Sequence, residues 1–214
     1  MLDTVDHPRS SVGILAYGSL IADPGVEIDP LIVRRIETLT PFPVEFGRIS
    51  ATRGGAPTVV PHASGKGVKA AVLVLVDGVA FDEARDLLWR RETRNEGSAK
   101  TYRDSAQPNA VIVRDLPGFC DLDHVLYTDF NPEGKIAAPD APSLADAAIT
   151  SVERTAPGKD GISYLIDLRQ AGVETVLTTR YVAEILSRTD TSDLESALRR
   201  LRTFVKEESL DGQS

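Results

Sequence analysis

The sequence predicts an α+β fold: a small mixed or antiparallel β-barrel, flanking helices and a helical C-terminal third. Three observations predict it. Short apolar runs, most of them bounded by Gly or Pro, crowd residues 12–128. A single helical stretch interrupts them, at about 82–91. From Ser143 onward the apolar period becomes helical. Strands first and helices last is the α+β order, not the alternation of βαβ units.

The first run, Val12 to Ala16, reads as a buried strand that stops in a tight turn at Gly18. Residues 30–40 fit a helix or a strand equally well. Val44 to Ser50 partly alternates apolar and polar, as a half-buried strand does, and Arg53-Gly54-Gly55-Ala56-Pro57 turns the chain into a short strand at 58–60. Val68 to Val76 is almost continuously apolar, which predicts a strand buried on both faces. Asp82 is the expected N-cap of the helix that follows, with Ala84, Leu87 and Leu88 on its inner face. Glu92 falls where that helix ends, and 93–101 is a polar loop. Residues 109–113 and 125–128 are further strands, and 130–142 is a Pro-rich connector. Three helices are then expected, capped by Ser143, capped by Asp160 and spanning 178–188, with Gly172 stopping the second. Ser192 and Glu195 form a capping box for a last helix, whose stripe is Leu194, Ala197, Leu198, Leu201 and Val205. The stripe suits docking on the chain's own domain or a protein contact. The expected organisation is a core at 12–142 and a helical extension at 143–207 packed on it as one globular unit. Residues 1–11 and 208–214 are expected to be loose ends.

A chain of 214 residues with 42% hydrophobic and 26% charged content is that of a soluble globular protein. No apolar run reaches the roughly 20 residues needed to span a bilayer, and the acidic start lacks the layout of a signal peptide. One cysteine, Cys120, excludes an intrachain disulfide, so a cytoplasmic protein is expected. The net charge of −8 disfavours nucleic acid and anionic membranes as partners. The pairs Arg34-Arg35, Arg90-Arg91 and Arg199-Arg200 are scattered and read as solvated faces.

Most chemistries find poor material. Ser19 follows Gly18, but Leu20 and Ile21 replace the second glycine of a nucleophile elbow. A triad would have to use His62 or His124, since His7 sits in the N-terminal tail. Three isolated histidines and one cysteine make a weak zinc set. Asp121-Leu122-Asp123 lacks EF-hand spacing, and Gly54-Gly55 and Gly65-Lys66-Gly67 match no phosphate-binding loop. Two features remain. The Tyr17-Gly18-Ser19-Leu20 turn can expose consecutive backbone N–H groups to an anion. Glu92 can pair with Arg90, Arg91 or Arg94. Emerging from the core layer, it can also act as base and then acid.

In combination these residues resemble the γ-glutamylcyclotransferase-like superfamily, in its AIG2-like or ChaC-like branch. The likeness runs over about 12–188. It is carried by Tyr17-Gly18-Ser19-Leu20, Phe46-Gly47-Arg48, Arg53-Gly54-Gly55-Ala56-Pro57, Gly67 to Leu73, and Leu88-Trp89-Arg90-Arg91-Glu92 with Gly97 and Tyr102. In the tail it is carried by Gly161 to Leu165, Ala171-Gly172-Val173 and Tyr181 to Leu186. The family's fold is a small barrel, which is the barrel expected above. Ile21-Ala22-Asp23 stands where ChaC proteins usually have a Trp, and Glu96-Gly97-Ser98 where they have Gly-Gly-Tyr. These departures bear on glutathione specificity more than on the reaction.

The resemblance implies a reaction in which the α-amine of a γ-glutamyl amide attacks its own γ-carbonyl, releasing 5-oxoproline and a free amine or peptide. Glu92 would be the general acid/base, and the N–H groups of Gly18, Ser19 and Leu20 would hold negative charge. Tyr17, Tyr102 and Tyr127 would line the pocket. No metal and no cofactor is implied, and the partner is a small γ-glutamyl molecule: glutathione, a γ-glutamyl amino acid or a γ-glutamyl amine. Two alternatives stand beside it: an inactive small-molecule or protein-binding module of the same fold, and an amide hydrolase using Ser19. The sequence leaves oligomeric state open.

Overall fold

The computed structural model describes residues 11–211, with side chains described through 203. The fold is α+β and divides into two compact units. The first takes residues 1–39 and 70–131, the second 40–69 and 132–214. Residues 40–69, placed with the core in the sequence reading, therefore group with the C-terminal helices.

The first unit holds a five-stranded mixed sheet. Its strands are β1 (Val12–Ala16), β2 (Ile32–Leu39), β5 (Lys69–Leu75), β6 (Val111–Asp115) and β7 (His124–Phe130). Their order across the sheet is β2-β5-β1-β7-β6. The central β1 runs antiparallel to β5 and parallel to β7, with Ile14 opposite Leu73 on one side and Leu126 on the other. All five β1 residues are buried. Helix α1 (Phe81–Thr93) lies on one face. There Ile14, Ala16, Leu73 and Leu126 from three strands meet Ala84, Leu87 and Leu88. Leu88 is fully buried, which stabilises the fold by roughly 1.5–3 kcal/mol. Its helix begins after Ala80 with no side-chain cap; Asp82, the expected cap, lies in the first turn, where its charge suits the positive end of the dipole.

The second unit pairs β3 (Val44–Ser50) with β4 (Ala56–Pro61) in an antiparallel ribbon. Four helices accompany it: α2 (Ala141–Arg154), α3 (Gly161–Gln170), α4 (Thr178–Thr189) and α5 (Leu194–Asp211). Phe46 and Tyr181 meet edge to face at 5.0 Å. The fully buried Glu45 accepts the N–H of Leu177 at 3.1 Å, beside the start of α4. Asp160 caps α3 as expected, accepting the Ser163 N–H at 2.8 Å and pairing with Arg202 at 2.6 Å.

Several expectations need correction. The described strands do not close into a barrel, because β3 and β4 pair with each other and leave β2 and β6 as open edges. Residues 32–39 settle as a strand through pairing with β5. Asp140, not Ser143, caps α2, and the Ser143 N–H is the group it satisfies at 2.9 Å. Asp193, not Ser192, caps α5 through the Ser196 N–H at 2.7 Å. The α5 stripe docks within its own unit, Leu194 and Ala197 being buried; Val205 lies outside the described side chains. The helix runs on to Asp211, past the expected end at 207; residues 1–10 and 212–214 lie outside the description. Among the described residues, no helix is long and apolar enough to cross a membrane.

Candidate functional site

The turn after β1 is built by one glycine. Tyr17 is still extended, and Gly18 then adopts φ +72, a left-handed conformation that costs a side-chain-bearing residue about 1–2 kcal/mol. The chain can therefore enter a single 3₁₀ turn, Gly18–Ile21, directly from the strand. In that i→i+3 pattern the Leu20 N–H is committed to the Tyr17 carbonyl, which leaves the N–H groups of Gly18 and Ser19 without a partner inside the turn. The expected three-amide cradle thus reduces to two. The Tyr17 hydroxyl donates to the Thr128 carbonyl at 2.6 Å, fastening the turn to the end of β7.

Glu92 sits in the last turn of α1. Arg94 closes that helix in a left-handed conformation, its N–H directed to the carbonyls of Arg90 and Arg91. A carboxylate at the negative end of a helix dipole is unfavourable unless a cation sits beside it. Arg91 is that cation, its Nη1 donating to Glu92 Oε1 at 2.7 Å. The same guanidinium reaches the turn after β1, since Nη2 donates to the Asp23 carbonyl at 2.5 Å and lies 3.4 Å from Ser19 Oγ. Both side chains are mostly enclosed, 12% exposed for Arg91 and 22% for Glu92. Glu92 and the Tyr17–Leu20 turn, more than seventy positions apart in sequence, are thus one guanidinium apart in space.

Neighbouring groups brace this arrangement. Arg90 Nε pairs with Glu27 Oε2 at 2.9 Å and its Nη1 donates to the Lys100 carbonyl at 3.2 Å. Against Arg91 and the loop after α1 lies Gly25, at φ +91. A Cβ there would land on Glu96 Oε1 and stand 2.8 Å from Arg91 Cγ. That Glu96 oxygen is buried and has no hydrogen-bond partner among the described residues.

The two other tyrosines are placed differently. Tyr102 is buried, its hydroxyl donating to Asp104 Oδ1 at 2.5 Å and accepting the Val113 N–H at 3.3 Å. Burial, then the Asp104 hydrogen bond, push its phenol above the usual range. Its ring lies under Arg85, two helical turns or roughly 10 Å before Glu92. Tyr127 follows Leu126, which faces α1, so strand alternation turns Tyr127 to the opposite face of the sheet. Burial is also the main cause of its raised pKa. The structure therefore joins Tyr17, Gly18, Ser19 and Glu92, and sets Tyr102 and Tyr127 apart from them.

The sequence offers Arg91 only as one of three pairing partners of Glu92; what it does not show is the reach of Arg91 to the turn after β1. The signal for the pairing was adjacency to Glu92 at a helix end, where a carboxylate calls for a cation. The histidines do not gather at Ser19. His124 pairs with Asp115 at 2.7 Å at the far end of β7, and His62 belongs to the second unit, bonded to Ser64 and the Ile136 carbonyl. Among the described residues no three His, Cys, Asp or Glu side chains come together as a metal site. A surface groove of the second unit, lined by Asp146, Ile149, Arg188, Thr189, Arg200 and Leu201, contains none of the predicted catalytic or substrate-binding residues.

No family model matches the chain, and no curated protein does. Among solved structures it is similar to a γ-glutamyl cyclotransferase specific to glutathione from yeast. The identity is 13%, the coverage is 92% of this chain and 100% of that one, and the TM-score is 0.46. At those values the likeness carries no weight, and the chemistry below rests on the residues of the site.

Proposed function

We propose that the chain is a γ-glutamylcyclotransferase-like enzyme, metal-independent and without cofactor, with Glu92 as its general acid/base. The observation that supports this reading is the Arg91 bridge between Glu92 and Ser19, because the Glu92 carboxylate is one guanidinium from the turn whose Gly18 and Ser19 N–H groups have no partner within it. Little else is needed when the nucleophile belongs to the substrate. The α-amine of a γ-glutamyl amide attacks the γ-carbonyl carbon, and the new C–N bond closes a five-membered ring. Holding the substrate folded supplies much of the rate. Glu92 accepts the proton that the attacking nitrogen loses and returns it to the departing amine as the old C–N bond breaks. The Gly18 and Ser19 N–H groups face the oxyanion that develops between the two steps. Arg91 serves the substrate carboxylate or steers Glu92, and its fork geometry suits a bidentate carboxylate. A small γ-glutamyl compound is the substrate class, and a cytoplasmic setting suits a chain with one cysteine.

Ser19 as a nucleophile finds no support, since the group beside its hydroxyl is Arg91, which cannot act as a base. The test is a panel of γ-glutamyl amines, γ-glutamyl dipeptides and glutathione, with 5-oxoproline and glutamate both quantified. Release of 5-oxoproline from one class is the expected result. Glutamate release would point to hydrolysis, and no turnover anywhere would favour a binding module.

A further inference from the structure

The first unit ends on β2, an eight-residue strand with only β5 beside it among the described residues. Natural sheets guard such an edge, commonly with charges of one sign that repel a second edge. This edge is different. Val33 and Leu39 are each 62% exposed, Arg35 has 41% of its side chain exposed, and Glu37 is exposed. These alternate positions share one face of a regular strand. They are also symmetric about Ile36, the two charges one residue to either side and the two apolar residues three.

We propose that β2 is a homodimer interface, in which two copies pair their edges antiparallel about a two-fold axis at Ile36. In that register Arg35 stands opposite Glu37 of the second copy, and Val33 opposite its Leu39. Each contact occurs twice, as a closed two-fold interface requires. Opposite charges and apolar residues facing across antiparallel strands attract, whereas like charges there repel. A second copy therefore meets complementary groups at these four positions, while Arg34, also exposed and on the other face of the strand, falls opposite Thr38 of the second copy; the ten-strand sheet that results leaves no β2 edge open. Arg35 is available for this. Its Nη1 donates to the Ile21 carbonyl at 2.9 Å and its Nη2 lies 3.7 Å from Asp29, leaving donors of the guanidinium unused among the described residues.

Sedimentation equilibrium of the full chain over a wide concentration range tests the proposal. The unmodified protein is expected to be a dimer that weakens with added salt as the exposed pairs are screened. Arg35→Glu alone, and Glu37→Arg alone, each put two like-charged pairs face to face and should weaken the dimer at least about tenfold. The double exchange R35E/E37R restores the complementary pairs and should restore the dimer. Ile36→Cys in a Cys120→Ser background adds a register test. Directly opposite residues lie about 4.5–5.5 Å apart at Cα, within disulfide reach, so oxidation should link two copies. Circular dichroism of each variant confirms that it is folded. A monomer at every concentration, or a dimer indifferent to both single reversals, would overturn the proposal. So would failure of the folded double exchange to recover the dimer.

Discussion

Replacing Glu92 by Gln separates chemistry from architecture at this site. The amide keeps an oxygen for Arg91 Nη1, now 2.7 Å from Glu92 Oε1, so the bridge to Ser19 and Asp23 has no reason to dissolve. What is lost is the charge of a partly enclosed pair, worth at most about 1 kcal/mol. For a chain of this size that corresponds to a Tm shift of roughly 2–4 °C. The proposed proton carrier, by contrast, disappears completely. General acid–base catalysis contributes about 10²–10⁴-fold, or roughly 3–5 kcal/mol of barrier. The expected result is thus a folded protein, almost unchanged in thermal melting, whose 5-oxoproline release falls by two to four orders of magnitude. The assay takes the best substrate of the γ-glutamyl panel and quantifies 5-oxoproline by mass spectrometry. Full turnover in the Gln variant would refute the mechanism. A fall in activity matched by a Tm loss above about 10 °C would show Glu92 to be a structural residue instead.

Three further outcomes follow from the same geometry. Gly25→Ala should cost at least about 1–2 kcal/mol through its φ of +91 alone, and more because its Cβ meets Arg91 Cγ at 2.8 Å; melting and turnover should fall together. Tyr102→Phe strips the partner from the Val113 N–H and the donor from Asp104, which should cost about 1–2 kcal/mol in denaturant titration while leaving 5-oxoproline release in place. Asp140 is held below the usual carboxylate range, first by the Ser143 N–H and then by its hydroxyl. A depressed folded pKa gives stability that is present above the ordinary carboxylate value and lost as pH falls through the folded one. Asp140→Ala should therefore flatten the acid side of a melting-against-pH curve below about pH 4 and lower it uniformly above.

Those predictions lean on features of unequal visibility in the sequence. The continuous apolar run at 68–76 announced β5, and Asp160 announced α3, because in each case one residue type served one purpose. The caps of α2 and α5 were misplaced, Ser143 for Asp140 and Ser192 for Asp193, because two nearby small polar residues can each serve as cap and only the backbone path decides between them. Pro142 lies inside the first turn of α2, where its missing N–H costs nothing, yet in the sequence it reads as part of the connector. The barrel was expected from strand number and from the resemblance. Which strands pair is a non-local matter, and β3 and β4 choose each other across a turn of only a few residues. At the site, Gly18 and Glu92 stood out for their residue types. Arg91 did not, because an arginine beside another arginine on a helix end looks like solvated surface until the turn after β1 is brought against it.

The division of the chain has a consequence for its synthesis. Residues 40–69 belong with segments that begin at 132, so 62 residues, 70 to 131, are translated in between. At about 5–20 residues per second the ribosome takes roughly 3–12 s over that stretch. Throughout it the nascent β3–β4 hairpin lacks the helices that later cover Phe46 and Val60. A hairpin alone is marginal in water, so it spends those seconds as apolar surface open to chaperones and to other nascent chains. The first unit can finish once residue 131 has emerged, whereas the second must wait for α5. Folding of this chain therefore proceeds by deferral, with an early segment kept soluble until the last one arrives.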